Sequence, residues 1–215
     1  GIAYSSNWAD GVVAVDIGAK KHKEADRSKS QFNPLLAKAG QGSPSNPQTL
    51  AEMKDPTGRN HAAFPYLSES TGKFYIIGGD ENFPWGVMAT KGKPSNPRGA
   101  YHFLDFTDPE NPKEDAIYEV PEAGSHNLWI HGDMLLAGNY QGGLRVVDIS
   151  GDLLGDIYKQ GREIAHYLSY HKDGRIANAP MVWGAQPYKD YIFFSDMNSG
   201  LYCVELVEEP SNSTD

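Results

Sequence analysis

The chain has 215 residues, 39% of them hydrophobic and 11% aromatic, and a net charge of −9. That length buries a core without cross-links, and the one cysteine, Cys203, excludes an internal disulfide framework. The acid excess leaves no basic surface for nucleic-acid phosphates, no apolar run reaches the ~18–20 residues of a membrane span, and 23 glycines with 14 prolines exclude a helix bundle.

The first pattern is Asn7-Trp8-Ala9-Asp10-Gly11 followed by Val12-Val13-Ala14-Val15-Asp16-Ile17. A polar turn with glycine between β-branched runs predicts a β-hairpin. Residues 18–60 match no copy of this pattern and read as a long insertion. Lys20, Lys21 and Lys23 open it, Gly40 to Pro47 is turn-rich, and Thr49 to Met53 predicts a helical turn. Loops this long are uncommon unless functional or disordered. This one is either a solvated excursion or an arm that docks a partner.

A second copy is split. Tyr75 to Asp80 supplies its first half and Ala100 to Phe106 its second, with the insertion 81–98 between them. Phe83, Trp85 and Met88 in that insertion read either as an apolar knob for a protein partner or as a loop folded over its own unit. The third copy runs from Met134 through Asn139-Tyr140-Gln141-Gly142-Gly143 to Ile149, preceded by a short strand near Leu128. Ile157-Tyr158 and Ile164 to Leu168 are expected outer strands. The fourth copy runs from Tyr191 through Asp196 and Gly200 to Leu206, and 208–215 reads as a tail.

Gly11, Gly143 and Gly200 fall in register, as do the acids Asp16, Asp105, Asp148 and Glu205. An acid closing every copy is read as a turn cap accepting backbone N–H bonds. The other reading is a metal or catalytic carboxylate. Each unit amounts to about four short antiparallel strands, and such a repeat predicts an all-β chain folded as a β-propeller of four-stranded blades. The expected boundaries are a partial blade at 1–17 and blades at about 61–120, 121–176 and 177–207. The first copy starts with a second strand and the last ends after a third, so the expectation is part of a larger ring, with upstream residues missing. A self-contained four-bladed ring is the alternative.

Leu144-Arg145-Val146-Val147-Asp148-Ile149-Ser150 and Val12 to Ile17 resemble the signature of the LVIVD-repeat proteins. His126-Asn127 and Asp105-Phe106-Thr107-Asp108-Pro109 fit the same pattern. The resemblance implies an extracytoplasmic propeller (periplasmic, cell-surface or secreted) with no defined catalytic mechanism. The long 18–60 excursion and the aromatic 81–98 insertion point to a non-catalytic protein-interaction or accessory subunit of a larger assembly, a membrane complex being one option, with no cofactor expected.

Seven histidines motivate the alternative, a metal-dependent oxidase-like enzyme: His22, His61, His102, His126, His131, His166 and His171. No pair has a compact zinc-ligand spacing. His61 and His126 both stand near the starts of expected inner strands, where a propeller converges side chains on its channel. Trp183 occupies the matching place in the fourth copy, so a full histidine ring is not made. Asp80-Glu81 sits in a turn, where acids are expected for solvation. A third reading is a small-molecule or glycan binder using Trp85, Trp129 and Trp183.

Overall fold

A computed structural model describes residues 1–21, 33–54, 56–84 and 94–207. His22, Lys23, Trp85, Met88 and the tail 208–215 lie outside the described residues. β1 (Ile2–Ser6), β2 (Val12–Asp16) and β3 (Gln48–Met53) form a first antiparallel sheet. The second is β4 (Asn60–Leu67), β5 (Phe74–Asp80), β6 (Tyr101–Asp105) and β7 (Lys113–Tyr118). β8 (Leu128–His131), β9 (Met134–Gly138) and β10 (Leu144–Asp148) open the third. β11 (Gly155–Asp156) then crosses back to pair in parallel with β7, and β12 (Glu163–Tyr167) completes the third sheet against β10. β13 (Val182–Tyr188), β14 (Tyr191–Asp196) and β15 (Gly200–Glu205) form the fourth. Among the described residues no helix is long and apolar enough to cross a membrane.

The sheets pack face to face through alternating side chains, the period-2 arrangement of strands. Phe74 and Ile76 of β5 pack with Val12, Ala14, Leu50 and Leu104 toward the first sheet. Tyr75 and Ile77 pack with Phe103, Leu135, Ala137 and Val147 toward the third. Leu136 and Val146 in turn meet Val182, Ala185 and Phe194 of the fourth. β5 is therefore buried along its whole length, which explains its unbroken apolar run. β14 alternates between buried and exposed positions instead, because only one face of the fourth sheet is covered among the described residues.

The repeat positions have concrete structural roles. Asp105 Oδ1 accepts the Thr107 N–H at 2.8 Å, and Asp148 Oδ1 accepts the Ser150 N–H at 2.9 Å. Asp16 Oδ1 accepts from Gly18 and Ala19 in the same way. Glu205 departs from the set: it is exposed at the end of β15 and caps no turn among the described residues. Gly11, Gly143 and Gly200 all have positive φ, and in the split copy Ala100 holds their register place, with Gly99 just before it also at positive φ. At Gly143 (φ +79) an added Cβ would lie 2.3 Å from the Tyr167 carbonyl oxygen. Gly143→Ala should cost about 2–4 kcal/mol of stability in a denaturant titration, combining left-handed strain with a backbone clash.

Two local expectations change. The helical turn at Thr49–Met53 is a strand, because the open edge of β2 offers a full ladder of backbone partners and tertiary pairing overrides local propensity. The pairing shifts register between Ala14 and Val15, which lets adjacent Leu50 and Ala51 both be buried. The outer strand expected at Ile157-Tyr158 is instead Gly155–Asp156, and it serves the neighbouring second sheet.

Candidate functional site

Two equivalent positions per unit converge where consecutive sheets meet. The pairing of β4 with β5 shifts between Asn60 and Ala62, and that of β13 with β14 shifts between Val182 and Gly184. His61 and Trp183 are therefore bulged residues, and bulges re-aim a side chain. His126 holds the corresponding place before β8, where its N–H bonds the Gly138 carbonyl at 2.9 Å. The second position is the residue after Asn7, Asp80, Asn139 and Asp196, at or just beyond a strand end: Trp8, Glu81, Tyr140 and Met197. Trp8 and Tyr140 adopt φ of 51° and 42°, uncommon for aromatic residues. Each N–H stitches one sheet to the next, Trp8 to the Asn60 carbonyl and Tyr140 to that of Val182, both at 2.9 Å.

The structure brings His61, His126 and Glu81 together. Their ligand atoms all lie within 4.8 Å of one another. His61 Nδ1 is 3.2 Å from Glu81 Oε2, and His126 Nε2 is 3.6 Å from Glu81 Oε1. The imidazole centroids are 4.4 Å apart. The side chains of Glu81 and His126 are 13% and 8% exposed and that of His61 is 28% exposed, so His61 is the open side of the cluster.

Neighbouring groups hold each member. His126 Nδ1 lies 2.8 Å from the Trp183 carbonyl oxygen, which can only accept. Nδ1 therefore carries a proton, and in the neutral ring Nε2 turns a lone pair toward Glu81. Trp183 stacks on the His126 ring at 5.1 Å, and Tyr140 meets it edge-on at 5.2 Å. Burial, then the neighbouring His61, pushes the His126 pKa below its ordinary value, outweighing the opposite pull of the Trp183 carbonyl and Glu81. The Tyr140 hydroxyl donates a short hydrogen bond to Glu81 Oε1. Burial first, and that bond second, raise the Tyr140 pKa, so the phenol remains a donor. Phe83 lies edge-on to Tyr140 at 5.5 Å, and so folds back toward the cluster.

The other expected residues lie elsewhere. His102 is buried in the second sheet between Asp80 Oδ2 at 3.0 Å and Glu114 Oε2 at 2.5 Å. His131, His166 and His171 are exposed. Lys20 and Lys21 are exposed after β2 and are not among the grouped residues. Glu81 and Tyr140 are the residues that sequence reasoning missed. Aligning Asp80-Glu81 with Asn139-Tyr140 and Asn7-Trp8 would have marked both as one repeat position.

A cleft of about 580 Å³ opens beside His61. Its lining comes from all four sheets and includes Tyr4, Phe64, Trp129, Trp183, Gln186 and Leu201. Compared with known proteins, the chain matches no protein-family model and no curated protein.

Proposed function

We propose that the four sheets are consecutive blades of a β-propeller of LVIVD-repeat type, and that its hub binds one divalent transition-metal ion through His61, Glu81 and His126. The observation that carries this reading is the set of three ligand atoms within 4.8 Å, donated from two sheets and fixed in orientation by Trp183 and Tyr140. For metal bonds of ~2.0–2.1 Å, neighbouring ligands of a tetrahedral ion stand roughly 3.3–3.5 Å apart. His61 Nδ1 stands 3.2 Å from one Glu81 oxygen and His126 Nε2 3.6 Å from the other, so each nitrogen faces the carboxylate at about that separation. With His126 neutral, its Nε2 lone pair is repelled by the carboxylate at that distance, and a cation between them relieves the repulsion. Two imidazoles and one carboxylate suit zinc and its neighbours, and three protein ligands leave a position open, as in reactive rather than structural centres. The ion would supply Lewis-acid activation of a water or a substrate oxygen.

The test is a cobalt titration of chelator-stripped protein. The expected result is visible absorption that saturates at one ion per chain and is displaced by zinc. No absorption above the free ion would remove the reading. Tyr140→Phe should weaken zinc binding by roughly 10–100-fold in a chelator-competition assay, because it releases the carboxylate from its outer hydrogen bond.

A second reading, a non-catalytic accessory subunit of an extracytoplasmic assembly, is supported by the uncovered face of the fourth sheet. Tyr188 and Leu201 there are 62% and 74% exposed, and β15 has no strand on its outer edge among the described residues. Stoichiometric co-purification with a partner that shields Leu201 from labelling would favour it. A monomer in native extract would count against it.

A further inference from the structure

We infer that the cleft beside His61 is a binding site for a neutral carbohydrate ring, with the indoles of Trp129 and Trp183 as its platforms. This does not rest on the hub metal. Three observations point to the ligand class. The first is charge. Among the described residues no Asp, Glu, Lys or Arg lines the cleft, although the chain carries 28 acids and 19 bases. A charged ligand would be stripped of water there with no counter-charge to meet it.

The second is the two indoles. Trp129 packs on Phe64 at 5.3 Å, and Trp183 stacks on His126 at 5.1 Å. Each is thus fixed in orientation by a ring neighbour yet stays 37% and 40% exposed, respectively. A large aromatic surface that is held rigid and left open binds at little conformational cost.

The third is the polar lining. Asn127, Gln186 and Ser195 line the same cleft, and their side chains make no hydrogen bond among the described residues. A purely apolar occupant would desolvate these groups without replacing their hydrogen bonds, at a cost in affinity. A pyranose answers all three conditions. It is uncharged, its axial C–H face lies against an indole, and its equatorial hydroxyls both donate to and accept from amides. The volume of about 580 Å³ falls within the ordinary range for small-ligand sites.

The experiment titrates cellobiose, maltose and N,N′-diacetylchitobiose into the whole chain, followed by calorimetry and tryptophan fluorescence, in metal-free and zinc-loaded protein. At least one disaccharide should bind saturably at one site with a change in indole emission. Trp129→Ala and, separately, Gln186→Leu should each weaken it by about tenfold, with circular dichroism unchanged. Trp129 does not touch the His61–Glu81–His126 cluster, so its variant should retain cobalt binding, which separates failure of this proposal from failure of the metal reading. The proposal is overturned if none of the three sugars binds, or if both folded variants bind as the parent does. It is equally overturned if a neutral apolar dye such as N-phenylnaphthylamine, or a nucleoside, occupies the cleft and no sugar displaces it.

Discussion

Asp16→Asn should lower the melting temperature at pH 7 by on the order of 10 °C, among the largest effects of any single polar substitution in the chain. The carboxylate is fully buried and accepts five backbone N–H bonds. Oδ1 takes Gly18 at 2.9 Å and Ala19 at 2.7 Å, closing the turn after β2. Oδ2 takes Gly40, Gln41 and Gly42 at 2.8, 3.1 and 2.8 Å, and so ties the middle of the 18–60 stretch to the end of β2. An asparagine presents an NH₂ group in place of one oxygen. In either flip, that group faces N–H donors where an acceptor is needed, and leaves them unsatisfied.

The same bonds, led by those from Gly42 and Ala19, hold the Asp16 pKa far below the ordinary carboxylate range. The sign follows from the depression. The stabilising contribution is complete above the unfolded-state value of about 3.9 and is lost as pH falls below it toward the folded-state value. The parent protein should therefore lose stability with acid in that window, and the gap between it and Asp16→Asn should narrow as pH falls. Thermal melts followed by circular dichroism from neutral pH downward measure this directly. Parallel curves would contradict the assignment.

The second large effect is expected at His126. If zinc binds as proposed, His126→Ala should reduce its affinity by about 1,000-fold or more in a competition assay, since one of the three proposed ligands is lost together with the geometry of the others. The alanine variant also deletes the hydrogen bond that ties this residue to the Trp183 carbonyl. His126→Asn is the control. Its amide N–H can replace Nδ1–H toward Trp183, while nothing replaces Nε2 toward Glu81. An asparagine variant that melts as the parent does and yet fails to bind zinc separates ligation from folding. One that binds zinc as tightly as the parent would exclude His126 as a ligand.

The strands and their hairpins were legible because their signal is local. Valine, isoleucine and aromatic runs, split by glycine turns, name a strand wherever they stand, and Asp105 and Asp148 form the caps their register suggests. β3 was not legible, because its neighbours in the chain are turn-rich and its only cause is the open edge of β2, more than thirty residues upstream in sequence. The site was half legible. His61 and His126 stood out as histidines at the starts of inner strands. Glu81 was hidden because the insertion after it breaks the repeat, so the acid read as a turn residue. Its role comes from folding, which sets it opposite a histidine 45 positions further along the chain. Tyr140 was hidden for a related reason: aromatic residues are common in hairpins, and only the left-handed backbone turns this one onto Glu81.

X-ray absorption on zinc-loaded protein asks whether the proposed ion sits between His61, Glu81 and His126. The expected spectrum is that of a four- or five-coordinate zinc with ligand distances of ~2.0–2.1 Å and the more distant scattering of two imidazole rings, one of which disappears in His126→Asn. A spectrum of oxygen ligands alone, or one that His126→Asn and Glu81→Gln leave unchanged, would contradict it.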